Sequence, residues 1–339
     1  MNMKTTRIRL NFSYKGALLI VPFLLIPLLG NLYLTRTFIN IIIFAVLALS
    51  WDFIAGYYRL GIISFAHAGL FALGGYVSGM LAIYWGLSPF VGFVAAGLAA
   101  AAFSLLLSLV ALRFPGRFNL YYIVVSVGMA DVLRLVWVNE YHVTGGTTGL
   151  VLPPLFDVTN LQLSYYLNYY FSLLILMALV GTIIYINRRP LGYAIRAIYE
   201  DEVTAATIGV NVNRTKVLGI VIGGAFAGLA GSAFCHISQA VGPDLGSRYY
   251  MLLIFFMAYA GGSGSIVGPV LGSVLWTGIY EGLRAMRPLL VGFDWFRPIE
   301  PFFQTFILTL VFLLILRFVG WRGLWGSVGP RIKKALKSE

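Results

Sequence analysis

The chain has 339 residues, 60% of them hydrophobic and 11% charged, with a formal net charge of +12 and a mean hydropathy of +0.88. A soluble domain cannot hide that much apolar surface, and the strand-like alternation of an outer-membrane barrel is absent. The basic residues sit at the ends of apolar runs rather than in a stripe, which excludes nucleic acid as a partner, and the single Cys235 cannot form an internal disulfide.

At the N-terminus Lys4, Arg7, Arg9 and Lys15 precede an apolar run, as in a signal peptide. No small-residue cleavage site follows, and Pro22 and Pro27 interrupt the run, so a retained first helix is expected. Apolar runs predict membrane segments over 16–34, 37–57, 62–84, 89–112, 118–138, 165–186, 216–237, 249–261, 266–285 and 301–318. The expected fold is an all-α polytopic integral membrane protein, a single transmembrane domain over 1–339 with about ten membrane segments. The segment 249–261 is short for a plain crossing, so broken or re-entrant helices are expected there, and an eight- or nine-span count stays open.

Ten crossings put both termini on one side. With that side cytoplasmic, the inside gathers Lys4, Arg7, Arg9, Lys15, Arg59, Arg113, Arg117, Arg188, Arg189, Arg196, Arg214, Lys216, Arg317, Arg322, Arg331, Lys333, Lys334 and Lys337. The outside keeps Arg36, Arg248, Arg284, Arg287 and Arg297, which is the positive-inside pattern of a multi-pass cytoplasmic-membrane protein.

Two regions are rich in helix breakers. One runs from Gly61 through Ser64 and His67 to Gly74 and Gly75; the other holds Gly261, Gly262, Gly264, Ser265 and Gly268. Paired Gly/Pro-interrupted segments in the two halves of a chain point to a translocation path. The alternative for each glycine pair, including Gly75/Gly79, Gly219/Gly223, Gly224/Gly228 and Gly268/Gly272, is close helix packing. His67 is either a functional intramembrane ionisable group or a neutral histidine bonded to a neighbouring helix.

Asp131 and Arg134 are three residues apart and share a helical face. They read as a mutually neutralising intramembrane ion pair, or as a gate that touches a zwitterionic substrate. Asp52 and Glu281, near segment ends, are expected to be wetted. Between Asn139 and Ser164 an outward loop carries Thr144, Gly145, Gly146 and Gly149, either turns or a contact for an outer partner.

The one long polar interruption is 187–216. Leu191, Ala194, Ile195 and Ile198, then Glu202, Ala205, Ala206 and Gly209, follow helical spacing. Two short cytoplasmic helices outside the bilayer are expected, shaped to dock on a partner. No G-x-x-x-x-G-K-S/T is present, so nucleotide hydrolysis by that route is excluded. There is no metal-ligand spacing, the three histidines are scattered, and no cofactor or catalytic residue is expected.

Four stretches carry a family resemblance: GIISFAHAGLFALGGY (61–76), DVLRLVWVNEYHVTGGTTGL (131–150), LGYAIRAIYEDEVTAATIGVNVNRTK (191–216) and YAGGSGSIVGPVLGSVL (259–275). In this order and spacing the chain resembles the permease subunits of ABC importers for branched-chain amino acids, the high-affinity leucine/isoleucine/valine type, with urea and amide relatives. The resemblance implies a second, related permease subunit, two cytoplasmic ATPase subunits and an extracytoplasmic substrate-binding protein. It makes 187–216 the coupling loop, with Glu202, Ala205, Ala206 and Gly209 on the helix seated in the ATPase. Thr144, Gly145, Gly146 and Gly149 would lie near the binding-protein contact. Tyr193, Tyr199 and Thr204 depart from the family pattern. An ion-coupled secondary transporter is the rival from another class, and would need buried carboxylates; only Asp131 reads as deep.

Overall fold

The structure is a computed structural model and describes residues 27, 30–57, 62–113, 120–291, 300–318 and 323–324. Helices dominate. In chain order they are α1 (Leu32–Asp52), α2 (His67–Trp85), α3 (Pro89–Ala111), α4 (Leu120–Asn139), the single turn α5 (Tyr141–Thr144), α6 (Leu161–Asn187), α7 (Pro190–Glu200), α8 (Glu202–Thr207), α9 (Val212–Ser238), α10 (Arg248–Gly261), α11 (Val267–Val291) and α12 (Glu300–Phe318). Two short strands, β1 (Leu150–Val151) and β2 (Ala240–Val241), pair antiparallel. The expected segment 16–34 lies almost wholly outside the described residues; each of the other nine falls on a helix.

Local chemistry sets the boundaries. Asn31, Asn160 and Asn211 accept backbone N–H groups at the starts of α1, α6 and α9, and Ser88 with Pro89 opens α3. Gly86 closes α2 in the left-handed conformation. Six helices among the described residues are long and apolar enough to cross a membrane: Leu32–Gly56, His67–Trp85, Pro89–Ala111, Leu120–Asn139, Leu161–Asn187 and Val212–Ser238. By contrast α10 has 14 residues, about 21 Å of helix against a hydrocarbon core of about 30 Å.

The core sits where α9 packs against α1, α2 and α3. Small residues permit this. A Cβ on Gly74 would come within 2.0 Å of the Gly228 carbonyl oxygen, so α2 and α9 touch backbone to backbone. Around this contact Trp51, Phe53, Phe71, Tyr76 and Tyr169 are fully buried.

Two features set the sides of the bundle. The end of α6, α7–α8 and the start of α9 lie together, joined by Arg196 bonding to Asn187 and Lys216 to Glu202; the end of α1 packs further along α9 at Gly223 and meets the loop before α11 where Asp52 bonds to Gly264. The end of α2, the loop 140–151 and β2 lie at the opposite side, joined by Tyr84 bonding to the Val143 carbonyl and by the β1–β2 pair.

One boundary differs from expectation. The segment predicted as a span from 62 becomes helical only at His67. The chain before it leaves α1 through a π-helical turn, Phe53–Tyr57, and residues 62–66 are non-helical.

Candidate functional site

The polar interruption folds as two short helices, α7 and α8, separated by a break at Asp201. Pro190 occupies the first turn of α7 and Ile195 and Ile198 are buried. The chain then turns at Asp201, whose extended backbone ends α7 and whose carboxylate accepts the Thr204 N–H at 2.6 Å to start α8. That hydrogen bond holds the Asp201 carboxyl below the usual carboxylate range. Gly209, with φ +90°, closes α8 in a conformation that L side chains rarely adopt, and the N–H groups of Gly209 and Val210 bond back to the carbonyls of Ala206 and Ala205.

The two alanines do not share a face. Ala205 is buried against the bundle, whereas Ala206 is exposed. Glu202 is also engaged internally: its Oε2 accepts from Lys216 Nζ at 2.8 Å, and the lysine is buried at the start of α9. The exposed apolar residues of α8 and its end are therefore Ala206 with Val203 and Ile208, which are 75% and 71% exposed, alongside exposed Thr204 and Thr207; Tyr193 and Tyr199 are exposed on α7. The signal for Val203 and Ile208 was in the sequence as apolar residues at the polar positions of an amphipathic helix.

The two glycine-rich interruptions, about 200 residues apart in sequence, meet at the end of α1. Asp52 is fully buried there, not wetted. Its carboxylate accepts from Ser263 Oγ at 2.5 Å and from the Gly264 N–H at 2.9 Å. Next to it, Trp51 Nε1 donates to the Ser64 carbonyl at 2.8 Å, and the Phe65 N–H bonds to Ser126 on α4. Gly74, Gly75, Gly261 and Gly268 make tight contacts: their Cβ positions would lie 1.8–2.3 Å from Gly228, Cys235, Gly268 and Gly262 atoms. Ser265 bonds to the Gly262 carbonyl and caps the Gly268 N–H. Ser64 Oγ, the His67 ring nitrogens and the Tyr122 hydroxyl are buried, with Tyr122 facing the Ser64 side chain. His67 has no charge partner among the described residues and faces the Ser50 backbone on α1, as expected of a neutral histidine held against a neighbouring helix.

Asp131 and Arg134 are brought near charge, but not to each other. Asp131 Oδ2 pairs with Arg248 Nη2 at 2.7 Å, and Arg134 Nη2 pairs with Asp244 Oδ1 at 3.3 Å. The expected mutual pair is replaced by two pairs to the segment 244–248, because that segment folds back onto α2 and α4: Gly246 abuts Trp137, Ala72 and Gly69. All four charges keep solvent exposure in the single chain, with side chains 38%, 41%, 81% and 81% exposed for Asp131, Arg134, Asp244 and Arg248.

In the outer loop Gly145, Gly146 and Gly149 all have positive φ, from 60° to 74°, and Thr144 is buried, 2.8 Å from the Glu140 carbonyl, while accepting the Gly146 N–H. These four residues shape turns that lock β1 onto β2. The exposed residues of that loop include Glu140, Tyr141, His142, Val143, Thr147 and Thr148. Among the described residues no group of His, Cys, Asp or Glu is arranged to hold a metal ion.

The geometry therefore combines an exposed two-helix knuckle, a sealed junction between two broken segments, and an uncovered charged face. The comparisons with known proteins agree with that combination. Permease LivM of the high-affinity branched-chain amino acid transport system of Escherichia coli (strain K12) is 27% identical over 291 residues, covering 78% of this chain and 67% of the relative. Permease LivH of the same organism is 29% identical over 267 residues, 71% of this chain and 82% of the relative. The guanosine ABC transporter permease NupQ of Bacillus subtilis (strain 168) is 24% identical over 190 residues, 52% of this chain and 59% of the relative. No solved structure matches the chain. The model of the family described as "Branched-chain amino acid transport system / permease component" matches residues 33–316, and the chain belongs to that family of ABC-transporter permeases.

Proposed function

We propose that this chain is one permease subunit of an ABC importer that carries branched-chain amino acids into the cytoplasm. It would pair with a second related permease, two cytoplasmic ATPases and an extracytoplasmic binding protein. The observation that carries this reading is the knuckle α7–α8. It is rigidly tied to the bundle by buried Ile195, Ile198 and Ala205 and by the Glu202–Lys216 pair, yet presents Val203, Ala206 and Ile208 outward. A rigid lever with an exposed apolar tip can transmit a partner's movement to α9, which touches α1, α2 and α3.

The second permease subunit is supported by the charged face. Asp131 lies 11 residues into α4, about 16 Å along its axis, which is mid-bilayer depth for a crossing helix. Charges at that depth face protein or a watery cavity and not lipid. The sealed junction at Asp52, Ser263 and Gly264 is the inner closure that ATP-driven movement opens. Near it, Ser64, His67 and Tyr122 supply polar groups to a passing substrate.

Sidedness and coupling are tested together. Val203→Cys in the assembled complex should react with a membrane-impermeant maleimide only when added from the cytoplasmic face, since native Cys235 is buried. It should also cross-link to an ATPase subunit. Labelling from the outside refutes the reading. The substrate is tested by ATP-driven uptake of leucine, isoleucine and valine, with urea and guanosine as alternative outcomes.

A further inference from the structure

A cleft of about 440 Å³ opens between α1, α10 and α11, within the size range of small-molecule sites. Its walls are aromatic and aliphatic: Phe44 from α1, Phe234 from α9, Leu253 from α10 and Trp276 from α11. One polar group is buried within it. Thr277 is 3% exposed, lines the cleft, and its hydroxyl has no hydrogen-bond partner.

The mouth is charged. A smaller continuation of about 170 Å³ shares Asn40, Tyr280 and Glu281 with the main cleft and is bordered by Arg36 and Arg284. Glu281 is largely buried and accepts the Tyr33 hydroxyl at 2.8 Å, with Arg284 3.8 Å away. Arg36 is exposed and has no ion pair among the described residues. The mouth lies at the start of α1, opposite the coupling knuckle. The base at Phe44 stops eight residues short of Asp52, about 12 Å above the sealed junction.

We infer that this cleft is an outward-facing binding site for a zwitterionic α-amino acid with an apolar side chain. The inference rests on the permease reading and names where in this chain its substrate first lodges. The apolar side chain packs against Phe44, Phe234, Leu253 and Trp276, excluding water. The ammonium group meets Glu281, with the Tyr280 ring beside it for a cation–π contact. The carboxylate meets Arg36 or Arg284 at the rim, and Thr277 supplies the remaining hydroxyl donor. A neutral or singly charged analogue leaves one of these charges unanswered.

The test is binding of tritiated L-leucine to the complete permease–ATPase complex in nanodiscs, without the binding protein. 4-Methylpentanoate, which lacks the ammonium, and isopentylamine, which lacks the carboxylate, should each compete at least about tenfold less well than leucine. Glu281→Gln should weaken leucine binding about tenfold while leaving the weak binding of 4-methylpentanoate unchanged, a contrast that misfolding does not produce. Trp276→Leu should weaken leucine and both analogues alike. Equal competition by the analogues overturns the proposal, as does leucine binding unchanged within threefold in both variants. ATP-driven uptake by the wild-type complex, with the binding protein added, is measured alongside. Uptake without these binding effects overturns the cleft alone, whereas absence of uptake overturns the permease reading itself.

Discussion

Removing the Asp52 carboxylate is the perturbation that most directly probes the junction between the two broken segments. In Asp52→Ala, Ser263 Oγ and the Gly264 N–H lose their common acceptor. A buried donor left without a partner costs about 1–3 kcal/mol. Both donors here are half-buried, so roughly half the maximum applies to each, or about 3 kcal/mol for the pair. That corresponds to about a 150-fold rise in local opening. Asp52→Asn keeps the size and one acceptor oxygen, and should cost about half as much. Hydrogen–deuterium exchange of peptides covering 260–268, in the purified complex, reads the opening directly. Exchange should accelerate about a hundredfold in the alanine variant and about tenfold in the asparagine variant, with peptides from α3 and α9 unchanged. If exchange at Gly264 moves by less than threefold while the rest of the fold is intact, the carboxylate is not what holds this junction closed. Gly56→Ala offers a cross-check, because its Cβ would fall 1.9 Å from both Asp52 Oδ1 and Ser263 Oγ and should reproduce the alanine phenotype.

On the knuckle, burying about three-quarters of a Val and an Ile side chain on docking is worth about 3 kcal/mol together. The double variant Val203→Ser, Ile208→Ser should therefore weaken ATPase association about a hundredfold by pull-down titration, without changing thermal stability of the isolated permease. Gly209→Ala meets no atom within 4 Å, so its cost is the left-handed backbone alone, about 1–2 kcal/mol; exchange of 202–212 should rise, and Gly209→Asn should be milder. Asp201 has a lowered pKa in the folded loop, so its capping contribution is fully present above the ordinary carboxylate pKa and is lost as pH falls through the lowered value. Limited proteolysis of the loop should increase in that acid window, and Asp201→Asn should show no such pH dependence there. Gly74→Val forces a side chain into the Gly228 carbonyl and should lower stability by about 3 kcal/mol, measured as loss of folded complex on heating.

Helix positions were legible because an apolar run of span length is a local property of the chain. The knuckle was legible for the same reason: Ile195 and Ile198 recur at helical spacing and are the residues that become buried. What spacing could not give was direction. Ala205 and Ala206 are adjacent, hence about 100° apart around a helix, so one must turn inward when the other turns out. Nothing local says which. The ion pairs failed for a different reason. Asp131 and Arg134 sit on one face, but their partners lie 110 or more residues away in a segment that reads as a turn between two helices. Asp52 looked like a segment-end residue open to water, and its burial depends on a loop more than 200 residues downstream. The clefts and closures of this fold are thus set by long-range returns of short polar segments, and those carry no periodic signal.

Helix α10 ties these features into one mechanical unit. Its first residue, Arg248, belongs to the charged face on α4, and its last, Gly261, opens into the loop whose Ser263 and Gly264 close on Asp52. Between them Tyr249 and Leu253 line the aromatic cleft. A helix of 14 residues is short enough to move as a rigid rod, and its Gly-rich exit provides the hinge: Gly262 and Gly264 both have positive φ. A chain covering the charged face would therefore press on one end of the rod, substrate would rest on its side, and the inner closure would hang from the other end. The knuckle enters the same unit from below, through α9, which packs on the α1 helix that carries Asp52. Opening the inner junction then requires either α1 or α10 to shift, and in the proposed assembly a partner would reach one through the knuckle and the other through the charged face. In the proposed assembly such an arrangement would let ATP-driven closure and substrate delivery act on a single bond network.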